Sequence, residues 1–187
     1  NDSDIDVTSS GLRLEAGIGI GGTVNHLETE VGTVSAQATS GGIYLLESDG
    51  VTVDDVAVTV QRVGSDGTTL TPTTDATQSD LITTSGNGSI VLQTTNGNIT
   101  LNDSTSGTGG TSGVVVVGDI ESADGKVGIT AATSITDADA NETDQDVTAA
   151  SLRLNAGTSI GTSSNHLETT VGTLSASAGN GSMYILE

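Results

Sequence analysis

The chain lacks cysteine, phenylalanine and tryptophan, and its 187 residues include one proline and two tyrosines. Without cysteine it has neither a disulfide framework nor a thiolate metal site. Without large aromatic side chains it cannot build a conventional core on aromatic anchors. Any core must therefore be aliphatic and thin.

Basic residues are also scarce. Four Lys and Arg residues stand against 24 Asp and Glu residues, which gives a formal net charge of −20. This charge opposes binding to phosphate backbones and to anionic membrane surfaces, so we expect no nucleic-acid partner. The longest apolar run, residues 114–117, is far shorter than the roughly 20 residues of a membrane span, so we also expect no membrane insertion.

The first 47 residues of the chain recur as its last 47. Residues 1–47 align without a gap on residues 141–187, and 27 of the 47 positions are identical, which gives a repeat period of 140 residues. Self-similarity at a fixed period indicates a repeat architecture. The second block stops at Glu187, whereas the first continues beyond Glu47. We therefore interpret residues 1–187 as one continuous segment of a longer repetitive chain or filament.

Valine, isoleucine and leucine occur in short runs that alternate with polar residues, a pattern typical of β-strands. Such runs include residues 43–47, 51–53, 90–94 and 99–101, and Gly, Asn, Ser and Thr clusters separate them. No segment has the apolar spacing of a helix. Residues 64–80 and 103–112 read as polar loops. The pattern predicts an all-β fold.

Short strands of this kind fit either a β-sandwich or a solenoid. The repeat favours the solenoid, because stacked coils need small residues at corners, aliphatic residues inside and no large aromatic residue. Leu12 and Thr33 are 21 residues apart, and Leu152 and Leu174 are 22 apart. We predict a parallel β-helix with about 20 residues per coil and about six or seven coils in each period.

Two stretches of the chain resemble a known protein class. Residues 152–161 (LRLNAGTSIG), with 165–169 (NHLET) and 171–176 (VGTLSA), resemble the repeats of filamentous-haemagglutinin-like giant bacterial surface adhesins. Residues 88–101 (GSIVLQTTNGNITL) are similar to the Gly-x-Ile-x-Leu coils of the same class. The resemblance implies a right-handed parallel β-helix, secretion to the bacterial cell surface, and roles in adhesion, biofilm matrix or filament construction without catalytic activity.

The acidic segment 137–146 is the strongest candidate site. Carboxylates and an amide at alternate positions present oxygen atoms, the ligands that calcium prefers. The segment is not an EF-hand, since Glu142 replaces the glycine at the sixth position and Thr148 the glutamate at the twelfth. The alternative is a solvated acidic turn, and we expect no required cofactor. The possible calcium ligands are Asp137, Asp139, Asn141, Asp144 and Asp146.

Three other features are weaker candidates. His26 and His166 share one repeat position and are too far apart to share an ion, so we expect turn histidines bonded to neighbouring backbone. Tyr44 and Tyr184 provide one aromatic ring per repeat, a poor platform for sugar stacking. The glycine-rich run 17–22 lacks the lysine and the following helix of a phosphate loop, so we predict a coil corner.

Three functions are consistent with these features. The first is a structural and adhesive surface protein that forms a stiff solenoid stalk or fibre. The second is a β-helical polysaccharide-acting enzyme, for which the chain offers only Arg13, Arg62, Lys126 and Arg153 as basic residues. The third is a calcium-dependent matrix-binding module. We favour the first, with no enzymatic activity, with end-to-end self-association or continuation into further repeats, and with host, cell-surface or matrix carbohydrate as a possible partner.

Overall fold

A computed structural model of the chain describes residues 4–85, 88–102, 120–138, 142–143 and 145–187. These residues contain fifteen β-strands and no helix, and therefore no helix that could cross a membrane. The strands are β1 (Val7–Ala16), β2 (Leu27–Ala38), β3 (Ile43–Glu47), β4 (Val51–Val53), β5 (Thr59–Val63), β6 (Leu70–Thr74), β7 (Leu81–Thr83), β8 (Ile90–Thr94), β9 (Ile99–Leu101), β10 (Ile120–Ala131), β11 (Ile135–Asp137), β12 (Val147–Ala156), β13 (Leu167–Val171), β14 (Leu174–Ala178) and β15 (Ile185–Leu186).

Thirteen of the described strands form one large sheet with parallel pairing, which curls into a half-barrel. The other two, β5 and β6, form a separate antiparallel hairpin. The prediction of an all-β fold is confirmed.

The large sheet contains two columns of stacked strand segments. In column A, Val7 pairs with Thr29, Thr29 with Glu47, and Glu47 with Thr94. The column continues through the second halves of β10 and β12 to β14. Parallel pairing lets each segment hydrogen-bond to the segments before and after it.

Column B follows column A along the chain. Leu14 pairs with Ala36, Ala36 with Leu81, Leu81 with Ile120, and Ile120 with Val147. The long strands β1, β2, β10 and β12 contain segments of both columns, which joins the two columns into one sheet. We use "pass" for one column A segment together with the column B segment that follows it.

The number of residues in a pass varies. Val7 and its partner Thr29 are 22 residues apart, whereas Leu45 and Leu92 are 47 apart. The long passes occur where the chain leaves column B after β4 and returns at β7, and where it leaves after β9 and returns at β10. Because of these insertions, the passes do not share one length of about 20 residues.

The two copies of the 47-residue block lie in different columns. Val7 is in column A of the first pass, whereas its equivalent Val147 is in column B of the fifth pass. Equivalent residues are therefore four and a half passes apart. We predicted six or seven coils per period, and the insertions account for the smaller number.

Aliphatic side chains from both columns form the core. Leu45 lies between Leu27 and Leu92 in the register, and the same row continues through Ile129 and Leu154. Leu45, Leu92, Ile129 and Leu154 are each at most 1% exposed. Branched aliphatic side chains suit this arrangement because they pack closely on a pleated surface.

The segment 64–80 differs from the polar loop that we predicted. Its first part belongs to the exposed hairpin β5–β6, in which Val63 pairs with Leu70. Its last part, residues 78–80, is buried where the chain rejoins column B at β7. Val56 and Gln78 close the base of the hairpin through two backbone hydrogen bonds of 2.8 and 3.1 Å. The other predicted loop, 103–112, lies outside the described residues.

Candidate functional site

The candidate site lies where the chain leaves column B after β11 and returns at β12. Asp137 is the last residue of β11, and Asp146 immediately precedes the first residue of β12. Glu168 lies on the next strand of the column, β13, which pairs with β12. One carboxylate oxygen from each of these three residues lies within 4.8 Å of the others. We call Asp137, Asp146 and Glu168 the carboxylate cluster.

Two members of the carboxylate cluster are almost completely buried. Asp146 and Glu168 are each 3% exposed, and Asp137 is partly buried. The backbone N–H of Glu168 donates a hydrogen bond to Asp146 Oδ2 at 2.6 Å. Glu168 Oε1 is buried and has no hydrogen-bond partner among the described residues. Within the described residues, Glu168 Oε1 is thus a buried acceptor without a donor.

Burial also changes the acidity of these groups. Desolvation raises the pKa of Asp146, and the charges of Asp137 and Glu168 add to this effect. Desolvation likewise raises the pKa of Glu168, to which Glu142 contributes. The site therefore favours a bound positive charge, whether a proton or a metal ion.

A histidine and a fourth carboxylate lie beside the cluster. His166 Nδ1 is 2.5 Å from Glu142 Oε2, and this hydrogen bond lowers the pKa of Glu142. The ring of His166 also contacts Tyr184 edge-on, with 6.1 Å between centroids. Ligand atoms of Glu142, His166 and Glu168 lie within 4.8 Å of one another. We expected His166 to bond to neighbouring backbone, but its described partner is a carboxylate 24 residues away.

Asn165 binds the backbone beside the carboxylate cluster. Its Nδ2 donates a hydrogen bond to the backbone carbonyl of Asp137 at 3.0 Å. Its Oδ1 is buried and has no hydrogen-bond partner in the described part of the chain. Asn165 therefore adds a second unpartnered oxygen close to the base of the insertion that begins after Asp137.

The structure brings together two of the five predicted calcium ligands. Asp137 and Asp146, at the two ends of the acidic segment, meet at its base. Asp139, Asn141 and Asp144 lie outside the described residues. The sequence did not predict Glu168, because alternation after the buried Leu167 places it on the outer side of the strand. The identical NHLET string in both copies was the available signal.

The first copy contains part of the same arrangement. Asp6 and Glu28 are the equivalents of Asp146 and Glu168, and the Glu28 N–H donates to Asp6 Oδ2 at 3.1 Å. Glu28 is 4% exposed, close to the value of Glu168. The position equivalent to Asp137 would precede Asn1, so residues 1–187 contain the complete trio in the second copy.

Arg13, His26 and the glycine-rich run 17–22, which the sequence also offered as candidates, have roles within the fold. Arg13 pairs with Glu15 at 3.2 Å and donates from Nε to the carbonyl of Ala76 at 3.2 Å. His26 stacks on Tyr44, with 6.0 Å between ring centroids and an interplanar angle of 3°. The glycine-rich run 17–22 contains a turn at Gly21, whose φ of 64° fits the predicted corner.

Comparison of the chain with protein-family models, curated proteins and solved structures finds no match. The resemblance to haemagglutinin-like adhesins therefore stays a prediction from sequence motifs.

Proposed function

We propose that this chain is a segment of a stiff extracellular solenoid, a structural and adhesive protein of the bacterial surface without enzymatic activity. In this proposal the fold is a right-handed parallel β-helix. Each pass is one coil, and the 140-residue unit spans four and a half coils.

The supporting observation is a difference in burial between equivalent residues of the two copies. Val34 is 1% exposed and Ile43 is 0% exposed in the first copy. Their equivalents Leu174 and Met183 are 39% and 50% exposed. The difference arises because β4 and β8 cover the first pair, whereas no described strand lies beyond the second pair.

At the end of the sheet formed by β1, the residues of the first copy are the less buried ones. Leu152 and Leu154 are 3% and 1% exposed because β10 covers them. Their equivalents Leu12 and Leu14, on the edge strand β1, are only partly buried. Exposed apolar residues on a strand edge favour pairing with another strand.

At each end of the sheet, one copy of the block therefore lacks the strand that covers the equivalent residues in the other copy. Tandem repetition of the 140-residue unit would place an equivalent of β10 before β1, and equivalents of β4 and β8 after β14 and β15. In such a tandem chain, stability grows by a similar increment with each unit.

Adhesion and surface location rest on the adhesin resemblance and on the net charge of −20, which keeps a long filament soluble. The enzyme alternative has less support. Glycosidases place paired carboxylates on either side of a bound sugar. Asp146 and Glu168 are 3% exposed, which is too little for contact with a sugar ring.

A longer chain tests this proposal. We would express residues 1–187 followed by a second copy of residues 48–187, and image both lengths by electron cryo-microscopy. With about 4.8 Å between strands, the added unit should lengthen the particle by about 22 Å and raise its melting temperature.

A matched control carries Ile90→Asp and Leu92→Asp in the added copy. These changes should prevent the added coils from docking, because Ile90 and Leu92 are 0% and 1% exposed in the first copy. An added unit that leaves the particle length unchanged, or that folds as a separate body, would refute the tandem solenoid.

A further inference from the structure

We propose that the carboxylate cluster binds one calcium ion through carboxylate oxygens of Asp137, Asp146 and Glu168. This inference goes beyond the structural function proposed above and does not depend on it.

The described hydrogen-bond donors do not satisfy every buried oxygen of the carboxylate cluster. A buried carboxylate is stable only if donors or a cation compensate for its lost hydration. The N–H of Glu168 supplies one hydrogen bond to Asp146. Glu168 Oε1 has no partner among the described residues, although Glu168 is only 3% exposed. A cation would provide the missing compensation.

The histidine beside the carboxylate cluster is already engaged with another carboxylate. His166 lies within reach of Glu168, but its Nδ1 bonds to Glu142 at 2.5 Å. The three carboxylates carry up to three negative charges within 4.8 Å of one another. Like charges this close repel strongly at low dielectric, and a divalent cation between them converts the repulsion into attraction.

The ligand atoms favour calcium over other divalent ions. All three are carboxylate oxygens, which hard cations prefer, whereas zinc favours nitrogen and sulfur ligands. Calcium accepts six to eight oxygen ligands in flexible geometry, whereas magnesium requires a near-ideal octahedron. The unpartnered Oδ1 of Asn165 is a further oxygen on the same corner. An irregular set of oxygens from β11, from β13 and from the residues that precede β12 and β13 therefore suits calcium.

The ion would join two consecutive passes of the chain. Asp137 and Asp146 bracket the insertion of the fifth pass, and Glu168 belongs to the sixth. Calcium would thus hold the base of the insertion closed and attach it to the next strand of column B. Such a contact stabilises the folded state increasingly as the calcium concentration rises above the Kd.

Isothermal titration calorimetry of the chelator-treated 187-residue chain with calcium chloride tests the proposal. We expect one ion per chain with a Kd of about 0.1–1 mM, the range of extracellular calcium modules, and weaker binding of magnesium chloride. The variant Glu168→Gln should weaken calcium binding roughly 10–100-fold, since it replaces a charged carboxylate ligand by a neutral amide.

Glu28→Gln is the matched control. Glu28 has the same repeat position and similar burial, but the repeat position equivalent to Asp137 falls before Asn1. The variant Glu28→Gln should leave the calcium affinity unchanged. Absence of calcium binding, or an equal loss of affinity in both variants, would overturn the proposal.

Thermal unfolding separates loss of the site from loss of the fold. In chelator, Glu168→Gln should melt at or above the temperature of the unmodified chain, because it removes a buried charge. Calcium should raise the melting temperature of the unmodified chain and of Glu28→Gln, but not that of Glu168→Gln. A calcium-dependent rise that persists in Glu168→Gln would place the ion elsewhere and refute the assignment.

Discussion

Thr29 Oγ1 donates a hydrogen bond to Glu47 Oε2 at 2.6 Å, between two neighbouring strands of column A. Glu47 Oε1 also accepts the backbone N–H of Val31 at 3.1 Å. In the second copy, Thr169 Oγ1 donates to Glu187 Oε2 at 2.7 Å in the same way. The repeated sequence thus forms the same contact in both copies, although the copies lie in different columns.

Glu47→Ala should destabilise the chain by about 2–4 kcal/mol, because it leaves the Thr29 hydroxyl and the Val31 N–H without their acceptor in a buried site. Glu47 is only 1% exposed, so water cannot readily replace the carboxylate. Urea unfolding followed by circular dichroism measures the change.

Glu187→Ala is the control for this prediction. Glu187 makes the equivalent bonds but is exposed at the chain end, so the loss should be below about 1 kcal/mol. Equal losses for the two variants would show that burial does not determine the strength of this contact.

Asp80→Asn should stabilise the chain at neutral pH. Burial raises the pKa of Asp80 to about 7, and the charges of Asp55 and Asp54 contribute. The φ of Asp80 is 66°, a conformation that asparagine tolerates as well as aspartate does. The gain above pH 7 should be at most about 4 kcal/mol.

The sign of the pH dependence follows from the higher pKa in the folded state. Between about pH 4 and pH 7 the folded chain binds more protons at Asp80 than the unfolded chain, so the Asp80 contribution to stability falls as pH rises. The difference in stability between Asp80→Asn and the unmodified chain should therefore grow from pH 4 to pH 7 and then level off. The exposed Asp75→Asn serves as control. A stability difference between Asp80→Asn and the unmodified chain that stays constant with pH would contradict the prediction.

Gly21→Ala should cost about 2–4 kcal/mol, because two effects combine. Gly21 has a φ of 64°, and a Cβ there would clash with the carbonyl of Tyr44. Gly67 has a φ of 72° but open space around a Cβ, so Gly67→Ala isolates the backbone cost of about 1 kcal/mol. Melting temperatures of the two variants give the comparison, and equal shifts would mean that the clash is relieved at no cost.

Removal of the β5–β6 hairpin should leave the large sheet intact. Val56 and Gln78 form a mutually hydrogen-bonded antiparallel pair, which a two-residue Asn-Gly turn can connect in place of residues 57–77. All residues of β5 and β6 are exposed, so their loss removes little buried apolar surface. We expect a change in melting temperature of less than about 5 °C and hydrogen-exchange protection of β7 as before. Loss of protection in β7 would show that the hairpin supports column B.

The sequence predicted β3, β4, β8 and β9 with the bounds that the structure has. These strands alternate buried and half-buried residues with period two, as in Val51–Val53, where both valines are buried and Thr52 between them is half-buried. Alternation is a reliable signal here because one face of each strand packs on the core.

Two strands and one site residue lacked this signal. All three residues of β7 are buried, and all five of β6 are exposed and include Pro72, so neither alternates. Glu168 is buried on the outer side of its strand, where pairing of distant segments places Asp146 against it. Contacts across an insertion depend on tertiary packing, which a local pattern does not encode.

In the proposed tandem solenoid, the offset of four and a half passes between equivalent residues determines on which side of the fibre each hairpin lies. The β5–β6 hairpin leaves from column B in this unit, so four and a half coils later its equivalent would leave from column A. Successive hairpins would then form two rows along the fibre, each row recurring every nine coils, or about 43 Å.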